Sequence, residues 1–136
     1  MPDGSVITIG SVKFRCPEVL FQPDMAGNEF GGIHHFCDRS IQKADFDIRK
    51  QLYSNIVLSG GNTIYEGLPI RLLREVQRHC PPNNSSDVRL YATDQRKDTA
   101  WIGGSIITSI NTFNDKWITK GEFEESGAAI VHKKSL

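Results

Sequence analysis

The segment Asn55-Ile56-Val57-Leu58-Ser59 has a compact apolar run and stops at Gly60-Gly61; a helical pattern takes over from Leu68. An apolar run without alternation calls for cover on both faces, which is the habit of a strand buried in a helix-flanked sheet. The helix after it is predicted to begin near Leu68, because Pro69 suits a first-turn position and Leu68, Leu72 and Val76 recur at i, i+4 and i+8. Arg71, Arg74, Gln77 and Arg78 make its wet face. Arg78 and His79 complement the negative end of the helix dipole, and Pro81-Pro82-Asn83-Asn84 forbids continuation, so the helix ends by residue 80. Val88 to Ala92 reads as a second strand. Strand, glycine turn, helix and strand in that order give an α/β class.

The flanking segments are plainer. Val6 to Ile9 is a β-branched run closed by Gly10, and Val12 and Phe14 alternate with polar neighbours, so a hairpin-like pair of short strands is expected there. From Ile33 to Tyr53 the positions Ile33, Phe36, Ile41, Ala44, Ile48 and Leu52 fall at helical spacings with an interruption near Asp45 to Asp47, which predicts two short helices. Ile102, Ile106 and Ile110 define the apolar stripe of a further helix containing Trp101. Gly103-Gly104 inside it costs about 1 kcal/mol per glycine relative to alanine, so something is expected to approach that backbone closely. Short helical pieces are expected around Gly121 to Glu125 and Ala128 to His132.

Charge narrows the function classes. Sixteen basic residues balance sixteen acidic ones in 136, which removes the footprint of a nucleic-acid or membrane-surface binder. No apolar run has the length of a membrane span, and Met-Pro-Asp-Gly lacks the character of a signal peptide, so the expectation is an intracellular, cytoplasmic chain. Cys16, Cys37 and Cys80 are odd in number and widely spaced, without a Cys-x-x-Cys pair. Neither a disulfide framework nor a zinc site is expected from them, and they read as buried or half-buried thiols.

Several motifs in order carry a resemblance. Pro2-Asp3-Gly4-Ser5-Val6-Ile7-Thr8-Ile9-Gly10, Phe14-Arg15-Cys16-Pro17-Glu18, Leu20-Phe21-Gln22-Pro23, Asp47-Ile48-Arg49-Lys50, Val57-Leu58-Ser59-Gly60-Gly61, Trp101-Ile102-Gly103-Gly104-Ser105-Ile106 and Glu125-Ser126-Gly127 with Ile130-Val131-His132 run through the whole chain. Together they resemble the actin family. The resemblance implies part of a two-lobed ATPase fold with nucleotide in the cleft, about its last third. Residues 1–30 would close the outer subdomain, 31–98 form most of an inner subdomain with the adenine loop, and 99–136 belong to the barbed-end subdomain.

The glycine turn agrees with that placement, since glycines after a strand let the backbone approach a ligand and the next helix offers free N–H groups. Read from residues alone, the same segment is a turn that needs glycines for its own geometry. The resemblance implies that Gly60, Gly61, Asn62 and Tyr65 lie along the adenosine, and that Lys97, by itself an ordinary surface lysine, lies against the adenine. Asn62 stands where actins usually have threonine, and Glu66 where they have proline.

No glycine-rich phosphate hairpin of the actin kind and no second Asp-x-Gly-x-Gly turn occurs in these residues. The resemblance places the water-positioning glutamine and histidine upstream of residue 1. Hydrolysis needs charge stabilisation at the γ-phosphate, a metal and an oriented water. ATP or ADP with Mg²⁺ is therefore expected only in a complete protomer, and the chain alone is expected to be inactive.

A second implied surface is the groove where actin-binding proteins insert an amphipathic helix. Ile102, Ile106, Ile107, Ile110 and Thr112 match its lining; read alone, they are a helix packing into its own core. Lys116 stands where actins usually have methionine, and Met25 and Ala26 replace bulkier residues of a filament-contact loop. The implied partners are the remainder of an actin-like protomer, other actin subunits and actin-binding proteins, in a cytoskeletal setting. A stand-alone interaction module without nucleotide is the other reading.

Overall fold

The computed structural model describes residues 2–134, which form two compact units, Met1–Lys97 and Asp98–Leu136. In the first, α1 (Val12–Glu18), α2 (Ile33–Gln42), α3 (Phe46–Tyr53), β1 (Ile56–Val57), α4 (Leu68–His79) and β2 (Leu90–Tyr91) follow in order. Short 3₁₀ turns lie at Pro23–Ala26, Gly61–Thr63 and Pro82–Asp87.

The α4 helix is where sequence and structure meet most closely. Gly67 precedes it in the left-handed region at φ +76°, Pro69 sits in the first turn, and Leu68, Leu72 and Val76 are its buried residues. Cys80 leaves the helix in an extended conformation, as the residue before a proline must. The buried stripe meets Phe21, Ile41, Tyr53, Leu58, Cys80 and Val88 in one hydrophobic core.

β1 and β2 pair in parallel, Ile56 beside Leu90 and Val57 beside Tyr91, with α4 in the crossover that parallel pairing demands. Leu58 N donates to Tyr91 O at 2.9 Å, and Arg89 N to Tyr53 O at 2.9 Å. This helix-flanked pair places the chain in the α/β class. The strand is only half covered, however: Leu58 is buried but Val57 is exposed, because among the described residues the sheet has two strands.

The helical pattern between Ile33 and Tyr53 gives α2 and α3, with the break at residues 43–45, where Ala44 N turns back to Ile41 O. Tyr53 is fully buried at the end of α3. Its hydroxyl donates to Asp38 Oδ1 at 2.5 Å and accepts from Gln42 Nε2 at 2.9 Å, tying α3 to α2. Burial, and then the Asp38 carboxylate, push the Tyr53 hydroxyl pKa well up.

The expected N-terminal hairpin does not form. Residues 5–10 have no regular structure and Val12–Glu18 is helical. A β-branched run needs a neighbouring strand to pair with, and among the described residues none lies there. The thiols also divide differently from expectation: Cys37 is half-buried and Cys80 buried, but Cys16 lies on exposed α1.

The second unit holds α5 (Thr99–Ser109), α6 (Lys120–Ser126) and α7 (Ile130–Lys134), with 3₁₀ turns at Asn111–Lys116 and Gly127–Ala129. A capping box starts α6: Glu122 N donates to Thr119 Oγ1, and Thr119 N donates to Glu122 Oε2. Lys134 of α7 reaches back to pair with Glu122 Oε1 at 2.7 Å and to donate to Trp117 O at 2.6 Å. Among the described residues of this unit Ile130 alone is buried.

Two expectations for α5 fail. Ile110 lies just past the helix in an extended conformation rather than in its stripe. Beyond the helix's own backbone, no described atom lies within 4 Å of a Cβ built at Gly103 or Gly104, so within these residues nothing makes the close approach that would explain the pair.

Candidate functional site

The glycine turn is built by backbone geometry. Gly60 holds φ +93° and ψ 158°, a region essentially closed to residues with a side chain. Its N–H donates to Arg96 O at 2.8 Å. Arg96 answers with its side chain, Nε donating to Thr63 O at 3.0 Å and Nη1 to Thr93 O at 3.0 Å. One guanidinium therefore staples the turn after β1 to the segment after β2. Thr63 closes the turn from within, donating N–H and hydroxyl to Gly60 O at 3.1 and 2.7 Å.

The staple brings Gly60, Gly61 and Asn62 beside the stretch that ends at Lys97. Gly61, Asn62 and Lys97 are all exposed, and a Cβ built on Gly60 or Gly61 would meet no atom of the described chain within 4 Å. Tyr65 lies beyond the 3₁₀ turn and lines a cavity of about 770 Å³ with Lys13, Phe14, Phe21, Leu68 and Arg71. Lys97 is not among the residues lining that cavity, so the five expected residues divide into a stapled group of four and an outlying tyrosine.

The second unit carries a smaller cavity of about 450 Å³ lined by Ile107, Ile110, Thr112, Phe113 and Lys116. Three of the five residues expected for a partner groove lie on it, while Ile102 and Ile106 do not. Phe113 meets Trp117 edge to face at 6.2 Å, which shapes one wall.

The family model for actin matches residues 1–136, the whole chain. The chain belongs to the actin family. A helix-flanked parallel pair in this actin-family chain is part of that ATPase fold, and the family makes it an actin-like protein of cytoskeletal type. Among the described residues no helix is long and apolar enough to cross a membrane.

The stapled turn leaves open space where a side chain would project from Gly60 and Gly61, as close backbone approach to a ligand requires.

One cluster was invisible in the sequence. His34 and His35 in the first turn of α2 meet His79 at the end of α4, with ring centres 4.2 to 4.9 Å apart. Burial, then His35 and His79, lower the His34 pKa. The adjacent His34-His35 pair was the only sequence signal, because the α2–α4 packing that adds His79 is a tertiary event.

Proposed function

We propose that this chain is one portion of an actin-like filament protomer, and that its stapled turn forms the adenine side of an ATP site completed by the rest of that protomer. The observation that carries this reading is the Arg96 staple, which ties the segment ending at Lys97 to half-buried Gly60 and to exposed Gly61 and Asn62. Backbone at Gly61, the Asn62 amide and a lysine offer polar contacts and a cation to a purine. Charge-assisted contacts to phosphate and metal, about twice as strong as neutral hydrogen bonds, fall to the complementary portion. Tyr65, which the resemblance assigns to the adenosine, would have to join the site from the separate cavity it lines. The Ile107, Ile110 and Thr112 cavity takes an apolar helix face from an actin-binding partner, with Lys116 on its rim weakening the apolar grip.

Photoaffinity labelling with an azido-adenine ATP, applied to the chain in its native complex, tests the site. Cross-links within residues 60–65 or at Lys97 are expected, together with copurification of a second actin-like polypeptide. A monomeric chain carrying no nucleotide, with no label at those positions, would refute the reading and leave an interaction module.

A further inference from the structure

We propose that His34, His35 and His79 form a three-imidazole site for a divalent transition-metal ion of the zinc class, clamping the start of α2 to the end of α4. Three of the four histidines of the chain converge here, and one ligand nitrogen from each lies within 4.8 Å of the other two. In a tetrahedral zinc site the metal–nitrogen bonds of about 2.0–2.1 Å put ligand nitrogens about 3.4 Å apart and imidazole centres about 5 Å apart. The observed centres, at 4.2, 4.9 and 4.2 Å, are close to that spacing, and two of the pairs must spread by about 0.8 Å to reach it. The ligand nitrogens, now within 4.8 Å of one another, must close further on the ion.

A purely packed aromatic cluster would explain the stacking but not the polar bookkeeping. His34 Nδ1 is buried and has no hydrogen-bond partner among the described residues, although buried polar atoms are nearly always paired. The ring cannot turn away to find one. Phe21 stacks on it at 5.9 Å, and Gly32 fits so closely that a Cβ there would lie 2.8 Å from His34 Cε1 and 2.3 Å from Phe21 O. Gly31 is equally tight against His35. An orphaned buried imidazole beside two further imidazoles is a donor set that suits a borderline-soft cation.

The charges nearby are close to balanced. Glu75 lies one turn before His79 and is held by Arg71 at 2.8 Å and Arg78 at 3.2 Å, while Arg71 is also neutralised by Glu18 at 3.0 Å. His79 sits at the carbonyl end of α4, where a cation is stabilised. Three protein ligands leave one position for water or a fourth donor. The site lies away from the glycine turn in sequence and in ligand chemistry, so it stands or falls apart from the nucleotide reading.

The test is titration of the metal-stripped full chain with Zn²⁺ alone near neutral pH, read by calorimetry and by imidazole ¹⁵N spectra. One ion per chain is expected, with shifts at the ring nitrogens of His34, His35 and His79 and none at His132. His35→Asn and His79→Asn alter accessible side chains and leave the core intact; each should weaken binding at least about tenfold, since even second-sphere losses cost that much. No saturable binding, shifts confined to His132, or wild-type affinity in both variants would each overturn the proposal.

Discussion

Replacing Arg96 by alanine removes both side-chain bonds of the staple while leaving the backbone bond from Gly60 N to Arg96 O available. A hydrogen bond from a charged donor is worth about 1.5–3 kcal/mol when shielded, and less when water can replace it. The Thr63 bond is part-buried and the Thr93 bond exposed, so the pair is worth about 2 kcal/mol to the closed turn. At tenfold per 1.4 kcal/mol, local opening should become about 30-fold more frequent. Amide exchange reads this directly at Thr63 and Ile64, whose N–H groups bond Gly60 O and Gly61 O at 3.1 and 3.2 Å. Arg96→Lys should fall between wild type and alanine, because an ammonium cannot fork across two carbonyls as a guanidinium does. Unchanged protection at Thr63 and Ile64 in Arg96→Ala would show that the turn holds its shape without the staple.

Three further outcomes follow from the packing and the charges. Leu72→Ala deletes a side chain only 4% exposed in the α4 stripe and should cost about 2–5 kcal/mol by denaturant titration. Gly32→Ala drives a Cβ to within 2.3 Å of Phe21 O and should cost about 1–3 kcal/mol, whereas Gly61→Ala meets open space and should stay within about 0.5 kcal/mol; equal thermal shifts in the two would contradict the steric argument. The Glu122 carboxyl, bonded by Lys134 and by Thr119, is lowered from 4.5 to about 2. A depressed carboxylate stabilises the fold above its unfolded value and loses that contribution as pH falls through the folded one. Carboxyl ¹³C shifts should therefore titrate near pH 2, and Lys134→Ala should move the midpoint towards 4.5.

Much of the first unit was legible because its signals are local. The bounds of α4 follow from Pro69, the i, i+4 stripe and Pro81-Pro82, and the α2–α3 pair from apolar spacing alone. The chain before Phe21 was misread because β-branched residues favour a strand only where a second strand is on offer. Val57 was read as buried for a related reason: a run of apolar letters does not reveal how many strands a sheet will have. In the site, glycines were legible as glycines, since Gly60 needs its positive φ. The Arg96 staple was not, because Gly60, Thr63 and Thr93 are brought to Arg96 only once β1 and β2 pair. The histidine cluster depends in the same way on α2 meeting α4.

The parallel pairing of β1 with β2 also dictates an order of events. Antiparallel strands can zip from a tight turn within microseconds, but these two are separated by the whole of α4, so their registry cannot nucleate locally. Closing that excursion is an entropic cost met before any ladder bond repays it. A preformed α4 shortens the flexible path, and its Leu68-Leu72-Val76 stripe can dock on Ile41 and Tyr53 without the sheet. Strand pairing is thus the late step, and the glycine turn, which exists only once Gly60 N has found Arg96 O, is the last part of the unit to acquire its shape.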